Sequence, residues 1–138
     1  MICLLHDHTL AIQAFSQTSY PYECCGGMLG TVEGDVKTVQ RLMSLVNVSE
    51  EDKRRRFKVT QDDYQRLERE ASESKMTLLG FYHSHPDHPA VPSETDLKFA
   101  WPFFSYIIQS VYKKEPLDCR SYVLGDDGEF VEEEVQIV

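Results

Sequence analysis

The sequence predicts an α/β or α+β domain with a central sheet, on three observations. Apolar residues recur at helical spacing in two segments, near residues 8–19 and 61–74. Short apolar runs bounded by Gly, Pro and Asp read as strands between and after them. The two patterns mix along 138 residues with no repeat, low-complexity tract or linker, so one domain spanning 1–138 is expected. At that length folding buries roughly two-thirds of the surface exposed by the unfolded chain, and no disulfide staple is needed.

In chain order, Leu10, Ala11, Ala14 and Phe15 follow the polar Asp7-His8 at helical spacing, and Pro21 closes that helix. Residues 26–32 and 36–46 are apolar stretches separated by Glu33-Gly34-Asp35, a hairpin composition, and Phe57-Lys58-Val59 reads as a short strand. Thr60 with Asp63 three residues on forms a capping-box pattern, after which Tyr64, Leu67 and Ala71 share one face of a helix over 61–74. Residues 77–84, Thr-Leu-Leu-Gly-Phe-Tyr-His-Ser, stay apolar until the histidines arrive, as expected of a strand covered on both faces. A Pro-rich loop over 86–92 leads to a short helix from Ser93 towards Ala100. Strands near 104–112, 118–124 and 129–137 complete the chain, the last two joined by Gly125-Asp126-Asp127-Gly128.

Composition narrows function. A formal net charge of −9 argues against nucleic acid, whose binding needs Lys and Arg to neutralise phosphates. No apolar run is long enough to span a bilayer, and the N-terminal MICLLHDHTL turns polar before a signal-peptide core forms, so a cytoplasmic protein without membrane partners is expected. The cysteines fit that compartment: Cys24 and Cys25 are neighbours, Cys3 and Cys119 lie far apart, and reduced, partly buried thiols are expected. The basic run Lys53-Arg54-Arg55-Arg56 reads as a solvated loop, with contact to an acidic protein substrate as the functional alternative.

The chemistry lies between Gly80 and Asp96. In a strand, side chains two apart share a face, so His83 and His85 can present both imidazoles to one point. Pro86 ends the ladder, and Asp96, in the first turn of the next helix, is the natural third ligand. Two histidines and one carboxylate around a tetrahedral Zn2+ leave one position open for water, as in catalytic zinc sites. The same residues also admit a plainer reading: hydrogen-bonded histidines, and a Ser93–Asp96 pair that only caps a helix. Asp87 and His88 read as loop residues. Hydrolysis further needs a proton acceptor, for which Glu23, Glu94 and Asp87 are available and spacing does not choose. Glu23 stands out by opening the small, apolar run Cys24 to Gly30, where desolvation would raise a carboxyl pKa and suit a general base.

Taken together, Glu23, His83-Ser84-His85-Pro86, then Ser93 and Asp96, spaced His-x-His, seven residues, Ser-x-x-Asp, resemble the JAMM signature of MPN-domain metallopeptidases. Glu23-Cys24-Cys25-Gly26 followed by Met28-Leu29-Gly30 further resembles the small prokaryotic JAB-domain members that act on ubiquitin-like sulfur-carrier proteins. The resemblance covers nearly the whole chain. It implies a cytidine-deaminase-like fold with a curved mixed sheet flanked by helices, zinc held by His83, His85 and Asp96, Glu23 as general base, and Ser93 as hydroxyl donor to the tetrahedral oxyanion. Loss of such a donor is commonly worth roughly 3–4 kcal/mol. The implied substrate is a small β-grasp sulfur carrier, cut after its C-terminal Gly-Gly. The chain has little room for the insertions with which eukaryotic relatives grip ubiquitin. A non-catalytic MPN-type interaction module is the main alternative. A non-haem iron enzyme, which also uses two histidines and a carboxylate, is a second.

Overall fold

The computed structural model describes residues 1–46 and 59–138. Along the chain run β1 (Ile2–Leu4), α1 (His6–Ser19), β2 (Cys25–Glu33), β3 (Val36–Leu45), α2 (Gln61–Glu73), β4 (Thr77–Pro86), α3 (Glu94–Lys98), β5 (Ser105–Tyr112), β6 (Glu115–Leu124), β7 (Phe130–Glu133) and β8 (Val135–Ile137). The expected strand at 57–59 and the basic run at 53–56 lie wholly or largely outside the described residues.

The eight strands of the described residues join one mixed sheet in the order β7-β6-β5-β4-β2-β3-β1-β8. Its two edge strands are separated in sequence by Glu134 alone, and a one-residue link cannot span more than about 7.6 Å between Cα atoms. The edges therefore meet, and the sheet curls until it is nearly a barrel. The Ile2 N–H donates to the Glu134 carbonyl at 3.0 Å, tying β1 to that link. The curved mixed sheet flanked by helices is the fold that the resemblance implied.

Five elements differ from the sequence reading. Strand β1 has three residues, too few to show a period. Helix α1 starts two residues earlier than expected because its first turn lacks a capping side chain, and His8 Nδ1 instead accepts from the Leu5 N–H at 3.3 Å. Strand β6 begins at Glu115 because Lys113 and Lys114 make the hairpin turn, with φ of 50° and 71°, the left-handed pair that Asn-Gly normally supplies. The single strand expected near 129–137 is two strands, broken at Glu134 and lying on opposite edges of the sheet. Helix α3 also stops at Lys98 rather than running towards Ala100, since Pro102 disfavours helical geometry just before it.

Helix α1 packs Ile12 against Ile2, Leu4, Met28, Leu79, Tyr82 and Ile107 on one face of the sheet. Helix α2 packs Leu67 and Ala71 against Leu29, Leu78, Phe81 and Phe104 on the other. Strand β4 is buried from Leu78 to Pro86, as its continuous apolar run predicts. An irregularity sets which of its side chains face which helix. Pairing with β2 jumps from Gly80 opposite Met28 to Leu78 opposite Leu29. Gly80 has φ of 154° there, where a Cβ would lie 1.9 Å from the Ser105 carbonyl oxygen. The skipped residue inverts the alternation, so Leu78 and Phe81 share the α2 face while Leu79 and Tyr82 share the α1 face. His83 and His85 continue the Phe81 set, and Ser84 the Tyr82 set.

Candidate active site

Strands β4 and β5 are parallel, and the crossover between them carries α3. Open α/β sheets bind ligands beyond the carboxyl ends of such strands, and there the predicted residues meet. His83 and His85 end β4, only 1% and 7% exposed. Glu23, on the segment entering β2, is 2% exposed. Asp96 comes from the first turn of α3.

The distances are short. His83 Nε2 and His85 Nε2 are 3.1 Å apart. Asp96 places Oδ1 3.2 Å from His83 Nε2 and Oδ2 3.2 Å from His85 Nε2. Glu23 Oε1 lies 4.0 Å from His85 Nε2. Glu23, His83 and His85 each offer a ligand atom within 4.8 Å of the others, so this buried group could hold a metal ion. Asp96 stands nearer to the His85 imidazole than Glu23 does.

Whether a cation fits can be judged from the donors. Around a tetrahedral ion with bonds of 2.0–2.1 Å, ligand atoms are roughly 3.3 Å apart, close to the spacing of the two Nε2 atoms and the Asp96 oxygens. His85 Nδ1 lies 3.0 Å from the Pro89 carbonyl, which can only accept, so Nδ1 carries the proton and Nε2 turns a lone pair towards the cluster. Burial lowers the His83 pKa against the opposing pull of Asp96, favouring the neutral imidazole that a metal requires. Burial alone would raise the Asp96 carboxyl, but His83, His85 and the Ser93 N–H outweigh it and hold the group far below the usual carboxylate range. Lone pairs and one carboxylate thus converge on a point, the arrangement a divalent ion resolves.

Ser93 does cap α3: its Oγ accepts from the Asp96 N–H at 3.0 Å, and its own N–H donates to Asp96 Oδ2 at 2.8 Å. The cap leaves the Asp96 carboxylate facing both imidazoles. Since a hydroxyl accepts and donates, Ser93 keeps its O–H proton for another partner. Of the other carboxylates, Glu94 is exposed. Asp87 is occupied at the turn, accepting from the Tyr20 hydroxyl at 2.6 Å and the Lys113 N–H at 2.9 Å, and the Tyr20 bond first among these lowers its pKa. His88 is exposed on the same loop.

Sequence reading overlooked Ser84. Its buried hydroxyl, on the β4 face opposite the imidazoles, accepts from the Cys24 N–H at 2.8 Å, while its backbone N–H donates to the Cys24 carbonyl at 3.1 Å. This double tie fixes the residue after Glu23 to the strand between the histidines. A small polar residue inside an otherwise apolar run was the available signal. The cysteines are free thiols; burial pushes Cys25 up to about 12 and Cys119 up to about 11, so neither is a nucleophile at neutral pH. Among the described residues no helix is long and apolar enough to cross a membrane.

Known proteins share this architecture. The profile of the family described as prokaryotic homologs of the JAB domain matches residues 5–125. A desampylase from Haloferax volcanii is 33% identical over 91 residues, 65% of this chain and 63% of that protein. The tail tip assembly protein K of Escherichia phage N15 is 35% identical over 86 residues, 62% of this chain and 31% of its own length. The chain thus spans less than two-thirds of either curated relative. Among solved structures, a Salinibacter ruber protein is 37% identical with a TM-score of 0.76, covering 100% of this chain and 92% of its own. A Desulfitobacterium hafniense protein reaches a TM-score of 0.87 at 29% identity, covering 100% and 93%. A JAB1/MPN domain protein from Archaeoglobus fulgidus shares the fold at a TM-score of 0.61 and 22% identity, covering 99% and 95%.

Proposed function

The chain belongs to the prokaryotic JAB-domain family, and from that premise we propose that it is a zinc-dependent metallopeptidase that hydrolyses the peptide or isopeptide bond after the C-terminal Gly-Gly of a ubiquitin-like sulfur-carrier protein. The observation that carries the reading is the convergence of His83 Nε2, His85 Nε2 and both Asp96 oxygens at 3.1–3.2 Å, with the buried Glu23 carboxylate 4.0 Å from His85. The desampylase alignment supports a ubiquitin-like modifier as substrate class.

His83, His85 and Asp96 would hold the ion. Bound zinc supplies a Lewis acid for the scissile carbonyl and lowers the pKa of coordinated water to about 7. The chain's own groups do the rest. His85 is locked in its working tautomer by the Pro89 carbonyl. Glu23, with Oε1 4.0 Å from His85 Nε2, takes a proton from the attacking water and returns it to the departing nitrogen. The carbonyl carbon gains OH, the nitrogen gains H, and the C–N bond breaks. Ser93 directs its free O–H to the carbonyl oxygen as negative charge develops there.

The test pairs metal analysis with hydrolysis. Purified protein should carry about one zinc per chain and release the group attached to a Gly-Gly-ended carrier, with a matching loss of mass; chelation should stop the reaction. Glu23→Gln should keep the zinc and lose the activity, and persistent turnover in that variant would refute Glu23 as base. Absence of stoichiometric zinc, with no effect of chelator, would favour an interaction module instead.

A further inference from the structure

We propose that the aromatic cavity beside His83 and Asp96 is a specificity pocket for a large apolar side chain, aromatic by preference, carried by the residue on the amine side of the scissile bond. The inference rests on the hydrolase reading above and deepens it.

The cavity has a volume of about 580 Å³ and shares His83 and Asp96 with the catalytic cluster; Tyr64 of α2 and Phe99, Trp101 and Phe103 from the α3–β5 connection form its apolar walls. That is within the size of ordinary ligand sites, roughly 300–1,000 Å³, and matches their largely aromatic lining with a few polar groups. Phe99, Trp101 and Phe103 are 55%, 67% and 50% exposed, so three large rings within five residues are left half in water. Such a patch marks a surface that something covers.

The wall is built before any ligand arrives. Phe103 has φ of 79°, a conformation that bulky residues rarely adopt and that persists only where surroundings enforce it. The enforcement comes from Lys37 on β3. Its amine donates to the Phe103 carbonyl and, at 2.9 Å, to Ser105 Oγ, and lies 4.6 Å from the Phe103 ring centre. The Trp101 N–H donates to the Tyr106 hydroxyl at 2.8 Å. Phe81 and Phe104 pack edge to face beneath, 5.4 Å between ring centres.

The occupant follows from chemistry. Gly-Gly has no side chain to fill such a volume; among the described residues no lysine, arginine or glutamate lines it, and its one carboxylate, Asp96, faces the two imidazoles. An apolar side chain next to the bond, on the side away from Gly-Gly, fits what remains.

Trp101 is the chain's one tryptophan, so its emission reports occupancy without hydrolysis. With metal-free protein, a Gly-Gly-Phe-Leu peptide should shift Trp101 fluorescence at concentrations where Gly-Gly-Ala-Ala does not. With zinc-loaded protein, a carrier adduct with Phe after Gly-Gly should be cut at least about tenfold more efficiently, by kcat/KM, than one with Ala. Phe99→Ala should pull that ratio towards one; because the ratio is internal to each variant, loss of folded or metal-loaded protein cannot imitate it. Hydrolysis with a ratio near one in the wild type, or a preference that follows the residue preceding Gly-Gly, overturns the pocket while leaving the hydrolase intact. A Phe-selective fluorescence shift without hydrolysis supports the pocket and refutes the peptidase reading. No shift with either peptide overturns the pocket.

Discussion

Two helices begin with the same four-residue device and put it to different ends. At α2, Thr60 Oγ1 accepts from the Asp63 N–H at 3.1 Å, and Asp63 Oδ2 accepts from the Thr60 N–H at 3.4 Å. At α3, Ser93 and Asp96 repeat the exchange at 3.0 and 2.8 Å. Beyond the cap, Asp63 lies 4.0 Å from Arg66. Asp96 instead faces two buried imidazoles. Helix α2 runs thirteen residues and buries Leu67 and Ala71, so packing justifies it; α3 runs five residues and buries none. So short a helix is marginal alone, and its cap serves chiefly to aim one carboxylate. The local motif decides the backbone, and what stands opposite decides the chemistry.

Matched substitutions should separate the two boxes most sharply at the acid. Asp96→Ala should abolish stoichiometric zinc and lower kcat/KM by well over the ~100-fold that even outer-shell metal partners reach. Asp63→Ala should leave both unchanged while lowering the melting temperature. Zinc content by mass spectrometry, with rates on one carrier substrate, decides between them. Full zinc in Asp96→Ala would return α3 to the status of an ordinary cap.

A smaller contrast is expected at the hydroxyls. Ser93→Ala should retain zinc yet lose about 100- to 1,000-fold in kcat, with KM little changed, the pattern of a donor that acts on the transition state. Thr60→Ala should not alter kcat. An undiminished kcat in Ser93→Ala would confine Ser93 to capping.

How far these features could be read from sequence depended on whether the signal was local. Strand β4, helix α2, the β2–β3 hairpin and the Ser93–Asp96 spacing were legible, because period and capping chemistry lie within a few residues. Glu23 could not be separated from Glu94 and Asp87 by spacing. Folding separates them by burying Glu23, exposing Glu94 and occupying Asp87 with Tyr20 and Lys113. The hairpin at Lys113-Lys114 gave no glycine or asparagine to announce it. The seam at Glu134 is a property of the closed sheet, which no window of sequence contains. Phe99 read as the end of a helix and Phe104 as the start of a strand, and the wall between them had no reading, since its meaning depends on Lys37 arriving from β3.

The smallest effect should reverse the order of importance. Thr60→Ala removes a cap from a helix whose apolar face completes the core, and should cost about 1 kcal/mol, roughly 3–5 °C in melting temperature for a domain of this size. In zinc-free protein, Ser93→Ala removes an equivalent cap from a helix that buries no side chain, so α3 can fray while the sheet stays closed. Its melting shift should then be less than half that of Thr60→Ala. Hydrogen exchange should place the loss locally, with faster exchange at the Leu97 and Phe99 amides, which bond to Ser93 and Thr95 carbonyls, and no change along α2. An equal or larger global loss in Ser93→Ala would mean that α3 supports the fold as well as the site, and the division of labour between the two boxes would fail.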